Sequence, residues 1–296
     1  MMDLDSVRAF VTFAEHLNLT HAARELHLSQ PALHARLKKL GDELGVTLYR
    51  RDGRRLVLTP AGEEVARFGR EVVRRALDFE ARLTGRAERQ PVVLAAGEGA
   101  WLYVLGEAVR AFSASGVAPL RLWTMGGEEA VEAARWGRAH IGVTSVAAGR
   151  EERSLVEEEG LVVRELTRVP QVLIVPKAHQ LAAREALTPE ALEGLALIVP
   201  PQGRAHREVL EETLGRARVS WEVAVEASGW PLMLRFVEMG VGLAVVNGCC
   251  PAPEGFVARP IPALPTRVYV AVRRAELRDE AVERLLGWMV EQASGG

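Results

Sequence analysis

The chain has 296 residues, enough for about two domains of the usual ~150 residues and for a sizeable core. With 48% hydrophobic and 26% charged residues and no run of 18 apolar ones, the composition excludes a disordered chain and predicts no membrane-spanning helix. The net charge of −2, taken whole, argues against a nucleic-acid partner.

The balance changes along the chain. Up to Gln90 there are 16 Lys and Arg against 13 Asp and Glu, a local +3; the remainder holds 21 against 26, a local −5. The basic excess gathers at Arg36, Lys38, Lys39, Arg50, Arg51, Arg54 and Arg55, which suits either a solvated face or a phosphate-binding one. Over residues 4–17, Leu4, Val7, Phe10, Val11, Ala14 and Leu17 follow helical spacing, with Asp3 as N-cap and no signal-peptide pattern. Asn18-Leu19 breaks that pattern, and Thr20 is placed to cap a short helix through Ala22, Ala23 and Leu26. After His27-Leu28, Ser29 caps a third helix with Pro31 in its first turn. Its buried stripe is Ala32, Leu33, Leu37, Leu40 and Leu44, and Gly45 ends it. Two short helices, a tight turn and a longer helix make a helix-turn-helix unit.

Asp52-Gly53 between two short apolar runs predicts a basic two-stranded hairpin, a wing. From Thr59-Pro60 a long helix carries Val65, Phe68, Val72, Ala76, Phe79 and Leu83 on a narrow seam. That seam suits pairing with a second copy, or packing on its own domain; the arginines on its other faces favour pairing.

Residues 20–33, Thr20-His21-Ala22-Ala23-Arg24-Glu25-Leu26-His27-Leu28-Ser29-Gln30-Pro31-Ala32-Leu33, closely resemble the N-terminal signature of LysR-type transcriptional regulators. So do Leu44-Gly45-Val46-Thr47-Leu48-Tyr49-Arg50-Arg51, Arg54 and Leu58-Thr59-Pro60-Ala61-Gly62, ungapped over about sixty residues. The resemblance implies a sequence-specific DNA-binding regulator controlled by a small-molecule effector. It implies a winged helix-turn-helix at 1–59, a linker and dimerisation helix with hinge at 60–90, and an effector-binding domain at 91–296. The first turn of the recognition helix would then place Gln30, Pro31, Ala32 and His34 at base edges in the major groove. Arg54 would enter the adjacent minor groove, with Thr20, Ser29, Lys38, Lys39 and Arg51 on phosphates. His34 and Ala35 depart from the family's common serine and arginine, so a guanine contact from position 35 is lost; His34 reads equally as a solvated surface residue.

Beyond a polar stretch at 80–91, short β-branched runs alternate with helical ones, the rhythm of parallel α/β sheets. The resemblance implies two Rossmann-like lobes of the periplasmic-binding-protein kind. Lobe I would be 91–161 and 268–296 and lobe II 162–267, with the chain crossing near 161–167 and 263–267. Ligands sit beyond the carboxyl ends of strands in such sheets. Those ends carry Glu98, Gly99 and Ala100, Gly126 and Gly127, Thr144 and Ser145, Gln202 and Arg204, Ser228, and Asn247, segments that match the family's effector cleft; each reads equally as turn chemistry. Gly97-Glu98-Gly99-Ala100 opens a helix and favours an anion. Gly99 and Gly127 stand where relatives place Ser or Thr on a carboxylate, which argues against a simple dicarboxylate. Glu98 would repel an anion and Arg204 would compensate.

His140 reads as a structural histidine. Cys249-Cys250 excludes a disulfide framework, fits a reducing cytoplasm and is not expected to sense redox state. No His or Cys partner lies at ligand spacing, so neither metal nor cofactor is expected. The implied partners are double-stranded DNA with an inverted-repeat operator of half-sites one helical turn apart, a small-molecule effector, RNA polymerase, and further copies of the chain in a dimer of dimers. The rival reading is a bifunctional winged-helix protein with a catalytic α/β domain. It would need a nucleophile, phosphate loop or metal cluster, yet Gly-x-Ser-x-Gly, Gly-x-x-x-x-Gly-Lys-Ser/Thr and His-Glu-x-x-His are all missing from the sequence.

Overall fold

The computed structural model describes residues 3–53, 55–83 and 90–293. The chain forms two compact units, Met1–Gln90 with Trp136–Arg138, and Pro91–Arg135 with Ala139–Gly296.

The first unit holds α1 (Leu4–His16), α2 (Leu19–Glu25), α3 (Gln30–Leu44), the hairpin β1 (Tyr49–Asp52) and β2 (Arg55–Leu58), and α4 (Pro60–Leu83). Asp3 caps α1, accepting from the Ser6 amide at 2.7 Å. The cap of α2 is not Thr20, as the sequence suggests, but Asn18. Its extended backbone lets Oδ1 accept from the Thr20 and His21 amides at 2.9 and 3.1 Å, which leaves Thr20 inside the first turn. Ser29 caps α3, and Gly45 closes it in the left-handed conformation. Phe10 and Phe13 of α1 pack with Leu33, Leu37 and Leu40 of α3 in the core. Ala32 and Leu44, expected in that stripe, are exposed, because the 3.6-residue period carries them past its edges.

The wing pairs Tyr49 with Leu58 through to Asp52 with Arg55, and the Tyr49 ring lies 4.7 Å from that of Phe13. Thr59 locks the wing to α4: its Oγ1 donates to the Thr47 carbonyl at 2.5 Å and accepts from the Gly62 amide at 3.0 Å. Gly62 then lies so close to β1 that a Cβ there would overlap the Leu48 carbonyl oxygen. Further along, Gly69 brings α4 against Val7 and Val11 of α1. Val65, read from the sequence as part of the pairing seam, instead packs on the core of its own unit. Phe68 and Phe79 of that seam are 52% and 55% exposed, and Val72 and Ala76 are half-buried. The Leu83 side chain and the hinge residues 84–89 lie outside the described residues.

The second unit begins with β3 (Val92–Ala96), α5 (Glu98–Ala100), a π-helical turn (Trp101–Leu105) and α6 (Gly106–Ser115). It continues through β4 (Leu120–Thr124), α7 (Gly127–Arg135), β5 (Ile141–Ala147), α8 (Arg150–Val156) and β6 (Leu161–Val169). Then follow β7 (Gln171–Pro176), β8 (Ala196–Val199), α9 (Ala205–Arg216), β9 (Glu222–Glu226), α10 (Trp230–Glu238), β10 (Leu243–Asn247) and β11 (Phe256–Pro260). The chain ends on β12 (Arg267–Arg274) and α11 (Glu280–Ala293). One sheet has the order β4-β3-β5-β12-β6 and the other β11-β7-β10-β8-β9.

Both sheets are mixed rather than parallel. β12 runs antiparallel to β5 and β6, and β7 antiparallel to β10 and β11. No helical crossover within one sheet leads into these strands: β7 is entered from β6 of the other sheet through Pro170 alone, and β12 is reached from β11 of the other sheet. The lobe boundary moves with this. Residues 161–169 are not the first crossing but an edge strand of the first sheet, paired to β12 along its length, and the chain changes lobe at Pro170. Gln171 Nε2 donates to the Pro265 carbonyl at 2.9 Å and so ties the outgoing passage to the returning one. His140 extends the β3–β5 pairing, its Nδ1 accepting from the Val93 amide at 2.9 Å.

Two glycines separate close approach from wasted flexibility. Gly62→Ala should destabilise the first unit by about 3 kcal/mol, because backbone rather than a movable side chain blocks the new methyl. Gly287→Ala, on an open face of α11, should stabilise by roughly 1 kcal/mol. Urea unfolding of the two variants measures both, and equal signs would contradict the packing described.

Candidate DNA-reading surface and ligand cleft

In the first unit Gln30, Pro31, Ala32, His34, Lys38 and Lys39 of α3 are exposed, as are Thr20 of α2, the cap residue Ser29, and Arg51 of the wing. Capping by Ser29 and the proline ring leave the first turn of α3 with its side chains free, and Thr20 Oγ1 reaches Gln30 Oε1 at only 3.5 Å. This turn and the wing border a concavity of about 500 Å³ whose lining includes Gln30, Pro31, His34, Arg50 and Arg51. Arg50, read from the sequence only as part of the basic cluster, joins this lining, and Asp52 lies 4.0 Å from it. Arg54 lies outside the described residues. A protruding helix end flanked by arginines offers amide, imidazole and cationic donors to a polyanion.

The second unit has a cleft of about 470 Å³ between its lobes. Of the strand-end residues expected there, Gly99, Ala100, Gly126, Gly127, Thr144, Ser145, Arg204 and Asn247 line it. Glu98, Gln202 and Ser228 do not. Glu98 turns its carboxylate onto the backbone of Gly229, and Gln202 and Ser228 are exposed on their loops. The two glycines are filled from elsewhere. A Cβ on Gly99 would lie 2.5 Å from Trp230 Cδ1, and one on Gly127 would overlap Thr144 Oγ1.

Sequence reading missed Trp230, Arg267 and Tyr269. Trp230 opens α10, its ring 4.6 Å from that of His206 in an edge contact. Arg267 and Tyr269 alternate on the same face of β12, opposite Ala147 and Ser145 of β5. Arg267, 7% exposed, donates to the Ser145 carbonyl and, at 3.3 Å, to its hydroxyl. Tyr269 accepts from Asn247 Nδ2 at 2.8 Å, and burial pushes its phenol well above the ordinary range. Cys249 Sγ is 3.6 Å from the same hydroxyl, and both cysteines are free thiols. An isolated arginine at a strand start carries no periodic signal, which is why the sequence did not mark it.

The comparisons with known proteins follow this division. Residues 4–63 match the bacterial regulatory helix-turn-helix protein, lysR family, and residues 85–294 match the LysR substrate binding domain. The chain belongs to the LysR-type transcriptional regulators. It is 25% identical over 290 residues to the HTH-type transcriptional regulator YbhD of Escherichia coli, covering 96% of this chain and 84% of that one. It is 26% identical over 256 residues to the RuBisCO operon transcriptional regulator of Allochromatium vinosum, covering 83% and 80%. Full-length OxyR from Pseudomonas aeruginosa shares the fold with TM-score 0.70 at 22% identity, over 100% of this chain and 95% of that one. These relatives carry the names of regulators rather than enzymes.

In this regulator His206 connects the cleft wall to stability. Its Nε2 donates to the Val245 carbonyl at 2.9 Å, while Nδ1 is buried without a partner. Burial drives its pKa down to about 4, helped by Arg267 and opposed by the carbonyl. The folded state therefore refuses a proton that the unfolded chain accepts below about pH 6.5. Stability is full above that pH and falls as pH drops toward 4, by about 2 kcal/mol once partial exposure is allowed for. His206→Gln should remove that share of the pH dependence, seen as a flatter plot of unfolding free energy between pH 6.5 and 4; an unchanged slope would refute it.

Proposed function

We propose that this regulator reads an inverted-repeat operator with paired copies of α3 and the wing, and that occupancy of the cleft by a small molecule controls the DNA-bound state. The observation that carries the reading is the exposed turn Gln30-Pro31-Ala32 with His34, beside a basic wing on an otherwise acidic chain. Gln30 suits bidentate contact with adenine, Pro31 and Ala32 suit the thymine methyl, and His34 suits a base edge. Lys38, Lys39 and Arg51 suit phosphates, with Thr20 and Ser29 as neutral donors and Arg54 in the minor groove.

Pairing through α4 is supported by Phe68 and Phe79, large apolar side chains left exposed on one seam with Val72 and Ala76 between them. The copies assemble further into a dimer of dimers in the cytoplasm, with RNA polymerase as partner of the DNA-bound form. Gly99, Ala100, Gly126, Gly127, Thr144, Ser145, Arg204 and Asn247 are the effector-facing set, joined by Trp230, Arg267 and Tyr269.

Gln30→Ala should weaken operator binding by about 1–3 kcal/mol and relax base preference at one position of each half-site. Lys38→Ala should weaken specific and random DNA alike and lower the salt slope by about 1 per contact. Titration of wild type and variants against a randomised operator library at several salt concentrations separates these effects; failure of the wild type to select any sequence would refute the reading. Phe68→Asp should raise the dimer dissociation constant about tenfold or more in sedimentation, since it buries a charge in the seam.

A further inference from the structure

We propose that Cys249 and Cys250 form a dithiol site for a trivalent arsenical, which binds by exchanging two oxygen ligands for the two sulfurs. The pair lies outside the lining of the cleft and outside the concavity beside α3.

The turn that follows β10 sets the pair in place. The Gly248 amide donates to the Pro170 carbonyl at 2.7 Å, and the Cys250 amide donates to the Asn247 carbonyl at 2.9 Å. A Cβ at Gly248 would lie 2.9 Å from the same Pro170 oxygen, so the turn is pressed against the passage from β6 to β7. Both cysteines are free thiols, and they hydrogen-bond to each other. Cys250 is 2% exposed and packs in the core of the second lobe, whereas Cys249 is half-buried and packs against the cores of both lobes. A ligand therefore approaches from the side of Cys249.

The two sulfurs differ in the way stepwise chelation needs. The Cys250 thiol donates to Cys249, and the Tyr269 hydroxyl lies 3.6 Å from the Cys249 sulfur; together they bring the Cys249 thiol down to about 7 against the effect of burial. The same hydrogen bond and burial push the Cys250 thiol far above the ordinary range. One thiolate is thus available near neutral pH, beside a thiol that keeps its proton. Attack of the Cys249 thiolate on arsenic forms the first As–S bond, and the Cys250 proton leaves with a hydroxide as water. The Cys250 thiolate so formed closes the chelate and expels a second hydroxide, which leaves as water with the proton that Cys249 gave to solvent. Two As–S bonds replace two As–O bonds, two waters depart, and arsenic stays trivalent.

Having two sulfurs and no further ligand selects among soft ions. Zinc is held by three or four protein ligands, and among the described residues no group of three His, Cys, Asp or Glu could hold a metal ion. A linear two-coordinate ion needs sulfurs that face each other across it, whereas these stand side by side on one turn. A pyramidal trivalent arsenical takes two neighbouring thiolates on one side and keeps its third substituent outward, toward the half-exposed side of Cys249.

The test uses the full chain, reduced with a phosphine, and phenylarsine oxide as the probe, whose hydrated form carries two hydroxyls on trivalent arsenic. Cys249 and Cys250 are the only cysteines in the sequence, so thiol counting reports on this pair alone. One equivalent should block both thiols, add one phenylarsenic group to the intact mass, and be removed by 2,3-dimercaptopropanol but not by an equal excess of a monothiol. The probe should raise Tm by about 2–4 °C, because only the folded chain holds the two sulfurs in contact. Cys249→Ser and Cys250→Ala should each weaken binding about 100-fold or more as the chelate is lost. Either variant binding as tightly as the wild type, removal by the monothiol, a Tm that falls with the probe, or zinc protecting both thiols better than the arsenical would each overturn the proposal. Cys249 is half-exposed, so Cys249→Ser decides the matter should Cys250→Ala fail to fold.

Discussion

A strand can be buried on both edges only where both rows of its backbone groups find partners, and β12 imposes that condition on the whole second unit. All eight of its residues are buried, and it lies between β5 and β6 although the chain reaches it only after completing the other lobe. The second lobe is in effect an insertion between β6 and β12. The alternation of β12 sends Val268, Val270 and Val272 against Val131 and Val146, and Tyr269 and Ala271 into the core with Phe112 and Leu285. Because the strand starts where the chain returns from the other lobe, its first residue, Arg267, stands at the cleft. Pro170 and Pro265 flank the two passages; Gln171 bonds across them to Pro265, and the Ala148 amide donates to the Thr266 carbonyl at 2.9 Å, prolonging the β5–β12 ladder. The cleft is therefore a consequence of where β12 must lie.

The first unit is governed by a more local condition. The first turn of α3 is fixed in its backbone yet uncovered, and the residues that achieve this are polar. Ser29 ties off a backbone amide at the start of α3, Thr59 anchors the wing to the start of α4, and Asn18 secures α2. Each uses a short side chain on a free helical amide, and each leaves the neighbouring exposed face unencumbered. The net charge of −2 hides this arrangement, since the arginines and lysines of one small unit are offset by acids placed elsewhere.

Local signals were legible and long-range ones were not. Helix spacing, the Ser29-Gln30-Pro31 start, the Asp52-Gly53 turn and the Thr59-Pro60 start each lie within a few residues of their cause, so the sequence suffices to place them. Asn18 and Thr20 are both good caps by residue type, and only backbone geometry decides between them. Residues 161–169 read as a crossing because their partner, β12, lies about a hundred residues away and no short-range pattern records it. The same limit applies to the cleft. Strand ends could be named, which recovered Thr144, Ser145, Arg204 and Asn247, but whether Glu98 faces the cleft or Gly229 depends on a loop from the other lobe. Val65 falls on the pairing seam by spacing alone, since nothing in the sequence reports that α1 lies alongside α4.

The glycines at 99 and 127 are required by what packs over them. Read in one dimension, they are lost side chains. In three dimensions, Trp230 occupies the space above Gly99, and the Thr144 hydroxyl occupies the space above Gly127. A serine at 99 would have to displace an indole, and one at 127 would compete with a hydroxyl already there. These substitutions are therefore coupled in pairs: neither glycine can regain a side chain unless its partner shrinks. On the opposite wall of the cleft, Arg267, Ser145 and Asn247 are held by β12, β5 and β10. β12 is buried along its whole length and β10 over all but its first residue, so the side chains of Arg267 and Asn247 stand on well-packed strands while the loops supply the cleft's shape.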